Sequence, residues 1–261
     1  MEVYGGVLLN SWLDRDLRLA GRIVVRGESG ELTQHLCATE AVARIPQLAI
    51  HLDRGANEGL KLDKQQHVQP IWGTGSAQDA DVLGLLADMA EASVAPEDIV
   101  GFDVVLADTQ KPELIGQRRQ LLASGRLDNL SSVYAGLHAL VEHAEELESA
   151  SQMSVLAAFD HEEVGSATRS GAAGPFLEDV LVRISAAQGE SQDDYRRSLS
   201  ESVCLSADAG HLVHPNYRGH HDPVNTPEPG AGPCSRSTPT SATPRMPWAP
   251  VYGRRRVSAP A

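Results

Sequence analysis

The chain has 261 residues and a formal charge of −13, with 41% hydrophobic and 22% charged residues. This composition is typical of a globular protein with one or two domains, and the acidic charge argues against nucleic acid or an anionic membrane as a partner. We find no apolar run near the ~20 residues of a membrane span, and we expect no signal peptide before the first apolar segment. Cys37, Cys204 and Cys234 lack Cys-x-x-Cys spacing, which favours reduced thiols in a cytoplasmic protein.

Short apolar runs bounded by glycine or proline dominate the first part of the chain. They predict strands at residues 3–9, 21–27, 45–52 and 68–72. A helix is predicted at residues 81–93, where apolar side chains recur at helical spacing until Pro96 ends the pattern. We therefore expect residues 1–102 to form a β-rich domain.

Strand and helix patterns alternate in the next part of the chain. Short apolar runs predict buried strands, and 3.6-residue apolar periods predict helices. The order is strand 103–107, helix 129–145, strand 155–159, helix 176–184 and strand 202–206. This alternation is the signature of a parallel α/β sheet, so residues 103–225 are predicted to form an α/β domain.

The composition changes again near residue 226. Residues 226–261 carry five arginines, one glutamate and eight of the fifteen prolines, without any hydrophobic period. Segments of this kind cannot bury enough apolar surface to fold. Residues 226–261 are therefore predicted to be a disordered C-terminal tail.

The most informative stretch is Phe159-Asp160-His161-Glu162-Glu163-Val164-Gly165. It follows the predicted strand 155–159, whose carboxyl end is where open α/β sheets place their ligand sites. Two adjacent carboxylates repel each other unless a cation or a reacting proton separates their roles. The alternative is a solvated acidic turn, which is the common setting of charged side chains.

Two further carboxylates are placed to join this pair. Asp128 precedes the helix 129–145, and Asp208 follows the strand 202–206. Carboxylates from separate elements that meet at one sheet edge are what a two-metal hydrolytic site requires, with one of them left free to take a proton from water. The alternative is that Asp128 and Asp208 cap helices.

Several motifs together resemble the M18 metallopeptidases, the aspartyl aminopeptidases. They occur in order from about residue 3 to about residue 223: Tyr4-Gly5-Gly6, Trp12-Leu13-Asp14-Arg15-Asp16-Leu17, Leu19-Ala20-Gly21-Arg22, Arg44-Ile45-Pro46, Leu48-Ala49-Ile50-His51-Leu52, Ala107-Asp108-Thr109-Gln110, Arg126-Leu127-Asp128-Asn129-Leu130, Asp160-His161-Glu162-Glu163-Val164-Gly165-Ser166, Ser206-Ala207-Asp208 and His214-Pro215-Asn216-Tyr217. The resemblance implies a cytosolic zinc exopeptidase, with two zinc ions per site, that removes N-terminal and often acidic residues from peptides. It also implies a zinc-exopeptidase-type α/β domain with an inserted β-rich dimerisation domain, assembled into a large homo-oligomer.

The resemblance also implies roles for individual carboxylates. Asp128 is similar to the residue that bridges both metals, Glu163 to a ligand of one metal and Asp208 to a ligand of the other. Glu162 is similar to the general base.

Three histidines are also covered by the resemblance. His51 resembles a histidine that the dimerisation domain lends to a neighbouring subunit's active site, and His214 resembles a substrate contact. His161 stands where the family usually has asparagine.

The resemblance also predicts what the chain would lack. The family's first metal-binding histidine, with the aspartate that orients it, is expected before Met1, and its last one is expected near the family's C-terminus. A zinc ion needs about four donors. The alternative to an active aminopeptidase is therefore a catalytically inactive fragment that retains only the oligomerisation surface.

The tail suggests a reason for the missing C-terminal part. Codons for residues 233–244, read one base earlier, can encode the sequence that the family has after His214-Pro215-Asn216-Tyr217. We hypothesise a frameshift between about Asp222 and Pro233, and the nucleotide sequence of the gene tests it. The alternative is a genuine Pro/Arg-rich disordered tail.

Overall fold

In the computed structural model, which describes residues 1–224 and 226–231, the chain divides into two compact units. Unit 1 is residues 1–125 and unit 2 begins at Arg126. The division therefore falls later than the predicted one after residue 102, because the strand Ile99–Asp108 runs across that position and pairs within unit 1. The predicted tail lies outside the described residues from residue 232 onward.

Unit 1 is built around one strand that pairs on both sides. Strand β1 (Asp16–Arg26) pairs antiparallel along one edge with β2 (Leu32–Ala38) and, at its start, with the two-residue β3 (Ala43–Arg44). Along its other edge β1 pairs antiparallel with β4 (Ile99–Asp108). Side chains alternate between the two faces of a strand, and the odd-numbered Leu17, Ile23 and Val25 of β1 are buried. The predicted strand at residues 21–27 is confirmed as part of β1.

The core of unit 1 lies against the buried face of β1. Ile23, Val25 and Cys37 pack with Leu86, which comes from helix α1 (Val82–Asp88). Leu17 packs in a second cluster with buried Ile45 and Val68. The Asp81 carboxylate caps α1 by accepting the Gly84 N–H at 2.8 Å, so the helix predicted at 81–93 is found in a shorter form.

Glycine is required where β1 and β4 meet. A Cβ on Gly21 would lie 2.1 Å from the Asp103 carbonyl oxygen, a distance that no real side chain tolerates. The two strands therefore approach each other at a point where any side chain would force them apart. Further along, β5 (Glu113–Ile115) and β6 (Leu121–Ala123) form a separate hairpin.

Three predicted strands of unit 1 are wrong. Residues 3–9 form no strand and lead into a 3-10 turn at Leu9–Trp12. Residues 45–52 and 68–72 contribute only isolated bridges, between Leu13 and Ile45 and between Arg44 and Ile71. An apolar run becomes a strand only beside another strand, and β1 is already paired with β2, β3 and β4.

Unit 2 is helical. Its helices are α2 (Leu127–Glu142), α3 (Ala144–Glu148), α4 (Phe176–Ala187) and α5 (Gln192–Glu201). The helices predicted at 129–145 and 176–184 are confirmed. Helix α5 begins with a capping box, in which the Asp194 N–H donates to the Ser191 hydroxyl at 3.2 Å and the Ser191 N–H donates to the Asp194 carboxylate at 3.0 Å.

The predicted parallel sheet of residues 103–225 is not found. Residues 103–108 belong to an antiparallel pair, and within residues 126–224 and 226–231 no strand is present. Residues 155–159 and 202–206 have strand-type sequences, but no described segment lies beside them in a ladder. The chain thus has mixed α/β content, and the strands of its described residues lie in unit 1. None of its helices in the described parts is long and apolar enough to cross a bilayer.

Candidate active site

Glu162 and Glu163 lie on a short 3-10 turn, Glu162–Val164, and both are exposed. The turn is entered through His161, whose φ is 64°, and left through Gly165 and Ser166, whose φ values are 101° and 59°. Left-handed backbone at non-glycine residues costs on the order of 1 kcal/mol each and persists only where the surrounding structure fixes it. The pair therefore lies on an exposed turn, as the alternative of a solvated acidic turn describes, and the backbone of this turn has a defined conformation.

Backbone hydrogen bonds fix that loop. The Ser166 N–H donates to the His161 carbonyl at 2.9 Å, and the Asp160 N–H donates to the Ser170 carbonyl at 3.2 Å. The Ala173 N–H returns to the Ser166 carbonyl at 3.1 Å. These hydrogen bonds hold residues 160–173 in one loop, which carries the two exposed glutamates.

Two glycines let the backbone of this loop pack on itself. A Cβ on Gly171 would lie 2.2 Å from the Ser166 carbonyl oxygen, and a Cβ on Gly174 would lie 1.9 Å from that of Thr168. The His161 ring is also part of the loop, since its Nδ1 lies 2.8 Å from the Thr168 hydroxyl. His161 is thus bonded within the loop.

Asp128 lies at the distorted start of α2. Arg126 before it has φ 63°, and Asp128 and Asn129, joined by a cis peptide bond, have backbone angles outside the helical range. The side chain is exposed. No side-chain hydrogen bond caps this end of the helix in the described part of the chain, so the interpretation of Asp128 as a helix cap is wrong.

Asp208 lies in an extended stretch without a helix or strand. Its carboxylate accepts the N–H of the next residue, Ala209, at 2.7 Å, and the residue is exposed. No helix begins after it, so the alternative reading of Asp208 as a helix cap is wrong.

These carboxylates do not form a metal site in the parts of the chain that the structure describes, where no three His, Cys, Asp or Glu side chains are grouped to hold an ion. The predicted meeting of Asp128, Glu163 and Asp208 at one sheet edge is therefore not observed. The physical reason is the absence of the sheet, since the stretches before Glu163 and Asp208 are not held by neighbouring strands. As arranged, these residues do not fit a zinc pair, which needs about four donors per ion.

The two predicted substrate-binding histidines lie in different units. His51, in unit 1, is exposed in a turn closed by the Leu52 N–H to the Ala49 carbonyl at 2.9 Å. His214, in unit 2, is exposed, and its Nδ1 accepts the Asn216 N–H at 3.2 Å. Its own N–H donates to His221 Nε2 at 2.8 Å, so His214 is fixed within its own turn.

One positioning group was missed by the sequence reasoning. The Asp14 N–H donates to the Ile45 carbonyl at 2.8 Å, and the Asp14 carboxylate accepts the Gln47 N–H at 3.3 Å. Arg44 pairs with this carboxylate at 3.6 Å and with that of Asp16 at 2.6 Å. This group anchors the segment that leads to His51. The motif at residues 12–17 contains Asp14 and Asp16 of this group, but a sequence motif does not show which of its atoms form hydrogen bonds or ion pairs.

The family model for the aminopeptidase I zinc metalloproteases (M18) matches residues 1–243. The chain therefore belongs to the M18 peptidase family. The match extends beyond residue 223, where the resemblance was expected to end. The frameshift stays a prediction that the nucleotide sequence tests.

Curated relatives carry the same family name. The chain is 47% identical over 235 residues to a probable M18 family aminopeptidase 2 of Streptomyces coelicolor, an alignment that covers 89% of this chain and 53% of the relative. It is 41% identical over 245 residues to a probable M18 family aminopeptidase 2 of Mycobacterium tuberculosis, covering 92% and 55%. The chain spans about half the length of the curated relatives it matches.

Solved structures share the fold. A chain in the cryo-EM structure of the Ape4 and Nbr1 complex aligns with a TM-score of 0.79 and 35% identity, over 86% of this chain and 46% of its own length. The crystal structure of prApe1 aligns with a TM-score of 0.77 and 29% identity, over 88% and 52%. The S. cerevisiae mApe1 dodecamer aligns with a TM-score of 0.71 and 28% identity, over 88% and 52%.

Proposed function

We propose that this chain acts in a zinc-dependent aminopeptidase that removes N-terminal residues, preferentially acidic ones, from peptides. The observation that carries the proposal is the M18 family match over residues 1–243. The identity of 47% to the Streptomyces relative supports it, because the aligned length includes most of the chain.

Asp128, Glu163 and Asp208 are proposed, on the family resemblance, as this chain's share of the ligands of two zinc ions, a role that requires the three carboxylates to be brought closer together than they lie here. We assign Glu162 the role of general base, because a carboxylate on an exposed turn can exchange protons with water and with a substrate amine. His51 and His214 are proposed as substrate contacts. All six residues are exposed, which leaves them accessible to further ligands and to substrate.

The proposal includes a homo-oligomer in the cytoplasm. The neighbour mApe1 is a dodecamer, which supports assembly of this chain, and we assign the assembly surface to unit 1 on the family resemblance alone. The cysteine spacing supports a reducing compartment.

A second candidate is a non-catalytic chain that keeps only its assembly surface. The absence of a metal-holding group among residues 1–224 and 226–231 favours it. Such a chain would join oligomers through unit 1 and would turn over no peptide.

Hydrolysis of Asp-4-nitroanilide by the purified chain, with zinc, manganese or cobalt added, separates the two candidates. The aminopeptidase predicts turnover that Glu162→Gln abolishes and that the matched exposed variant Glu145→Gln leaves unchanged. Slower hydrolysis of Ala-4-nitroanilide would support the acidic preference. If no metal gives turnover, the non-catalytic candidate holds; turnover that survives Glu162→Gln contradicts the assigned base.

A further inference from the structure

Two histidine rings accept backbone hydrogen bonds in the turn that carries His214. The His221 Nε2 accepts the His214 N–H at 2.8 Å, and the His214 Nδ1 accepts the Asn216 N–H at 3.2 Å. A ring nitrogen that accepts a hydrogen bond carries no proton. The geometry therefore fixes the tautomers of the two neutral rings, with the proton on Nδ1 in His221 and on Nε2 in His214.

The bond to the His221 ring differs in span from the backbone bonds of the 214–221 turn. The N–H groups of Tyr217, His220 and His221 donate to carbonyls three residues earlier, at 3.1, 3.0 and 3.2 Å. The bond from the His214 N–H to the His221 Nε2 instead joins residues seven positions apart. It therefore ties the first residue of the turn to the last.

His214 is held by hydrogen bonds rather than by burial. Its side chain is exposed, whereas His221 is half-buried and Val213 is 9% exposed. The Val213 N–H donates to the Pro227 carbonyl at 3.0 Å, which anchors the chain just before the turn. The position of the His214 backbone after this anchor therefore depends on the bond from its N–H to the His221 ring.

Several titratable and charged side chains lie in the turn and next to it. Arg218 pairs with Glu228 at 3.3 Å, and the Asp222 carboxylate accepts a nearby backbone N–H at 2.8 Å. The other titratable groups of the turn are His214, Tyr217 and His220. A proton on the His221 Nε2 would place an N–H against the His214 N–H, whatever the charge of these neighbours.

We propose that His221 is a positioning residue for His214, and that protonation of the His221 ring in mildly acidic solution releases the 214–221 turn. The neutral ring accepts the His214 N–H, whereas a protonated ring has two N–H donors and no acceptor. Histidine is the side chain that ordinarily changes charge between about pH 5 and 8, so the turn is closed at about pH 7.5 and opens towards about pH 5.5. The expected effect on substrate binding rests on the proposed function, in which His214 contacts the substrate, but the opening of the turn does not.

The tautomers are the first test, in the full 261-residue chain. At about pH 7.5, NMR correlations between the ring protons and nitrogens should show the Nδ1–H tautomer for His221 and the Nε2–H tautomer for His214. An Nε2–H tautomer in His221 would overturn the proposal, because that ring could not accept the His214 N–H.

Amide hydrogen exchange measures the opening of the turn. Between about pH 7.5 and about pH 5.5, the protection factor of the His214 N–H should fall at least about tenfold. The Val213 N–H, which is bonded to a backbone carbonyl, should keep its protection within about twofold. Unchanged protection of the His214 N–H would contradict the proposal. An equal loss at both amides would contradict it too, because the whole segment would then be unfolding.

Glutamine at position 221 separates the shape of the ring from its charge. Its amide oxygen accepts a hydrogen bond and takes no proton in this pH range, so His221→Gln should keep the His214 N–H protected at both pH values. His221→Ala should lose this protection at both. His138→Gln is the matched control, because His138 is an exposed histidine outside the turn and its loss should leave the pH response unchanged. A His221→Gln chain that still opens at the lower pH would show that another group controls the turn.

Kinetics with Asp-4-nitroanilide connect the turn to the proposed function. Between the two pH values, KM should rise at least about fivefold more for the unmodified chain than for His221→Gln, because loss of a substrate contact weakens binding. The change in kcat should be the same in both proteins, since Glu162 is present in each. An equal rise in KM would contradict the link to substrate binding. A chain without turnover contradicts the proposed function, and the tautomers and the amide exchange then decide the proposal for the turn.

Discussion

Unit 1 buries its apolar side chains, whereas unit 2 leaves many of its own exposed. Within the described ranges, fully buried apolar residues such as Leu17, Ile23 and Leu86 lie mostly in unit 1, and unit 2 contributes Tyr195 and Val213. The two units differ in their backbone pairing, since β1 has neighbours on both sides and unit 2 has helices without a described strand. Apolar sequence thus builds a core only where paired strands offer a surface for it.

The largest difference between the units is expected in thiol reactivity. Cys204 of unit 2 is exposed, whereas Cys37 in β2 is 3% exposed and burial raises the pKa of its thiol. The two thiols are compared in a Cys234→Ser variant, which has no third thiol. A disulfide reagent at neutral pH should modify Cys204 at least about a hundredfold faster, because Cys37 reacts only after opening that costs about 3 kcal/mol or more. Equal rates in folded protein would show that unit 1 has no stable core; both thiols should react alike in urea.

The next largest effect is a core truncation. Leu17→Ala removes a side chain that is 0% exposed and should lower the free energy of unfolding of unit 1 by about 2–5 kcal/mol. The matched Leu205→Ala, at a residue that is 87% exposed, should change it by less than about 0.5 kcal/mol. The free energy of unfolding of each variant is measured by urea unfolding, followed by the fluorescence of Trp12, which packs beside Leu17. Trp72 and Trp248 are replaced in this experiment so that Trp12 is the only fluorescent tryptophan. Equal losses would contradict the contrast between the units.

A smaller effect tests the close approach of β1 and β4. Gly21→Ala would place a methyl group 2.1 Å from the Asp103 carbonyl oxygen and should cost about 1–3 kcal/mol of unfolding free energy. Gly101→Ala in the same strand pair is the control, since its Cβ would find Val24 at an ordinary 4.0 Å. Thermal unfolding should therefore separate the two variants. A stable Gly21→Ala protein would mean that β4 can move away from β1.

The smallest effect concerns the one tightly capped helix of unit 2 in its described part. Hydrogen bonds from the Ser191 hydroxyl, then from its backbone N–H, hold the pKa of Asp194 below its ordinary value of 3.8. The stabilisation of α5 from this cap is therefore present above pH 3.8 and is lost as the pH falls through the lower folded-state pKa. An NMR titration of the Asp194 carboxyl should give a midpoint below 3.8, and Ser191→Ala should raise it. An unchanged midpoint in Ser191→Ala would remove the cap as its cause.

Local patterns predicted the elements that depend on local contacts. The stripe from Leu130 to Val141 predicts α2, because the hydrogen bonds of a helix lie within the segment itself. The strands expected at residues 155–159 and 202–206 have equally clear sequences, but a strand needs a neighbour that its own sequence cannot supply. Helix α5 was missed because it is polar, although the spacing of Ser191 and Asp194 was an available signal.

The candidate site shows the same limit. Motifs identified Asp128, Glu162, Glu163 and Asp208 as a set, and the same motifs indicated the M18 family. They did not show that Gly171 and Gly174 let the loop around the glutamates close, or that Asp14 bonds to the segment before His51. Those facts depend on which backbone atoms come close together, and a motif does not specify such distances.

The central position of β1 also has a consequence for biosynthesis. Residues 16–26 leave the ribosome before their partner β4, residues 99–108, which emerges about eighty residues later, on the order of ten seconds at typical elongation rates. Until then β1 can pair along one edge only, Ile23 with β2 and Leu17 with β3. Such non-local closure is slow, so delays in translation before residue 108 would lengthen the time for which the apolar side chains of β1 are exposed to aggregation.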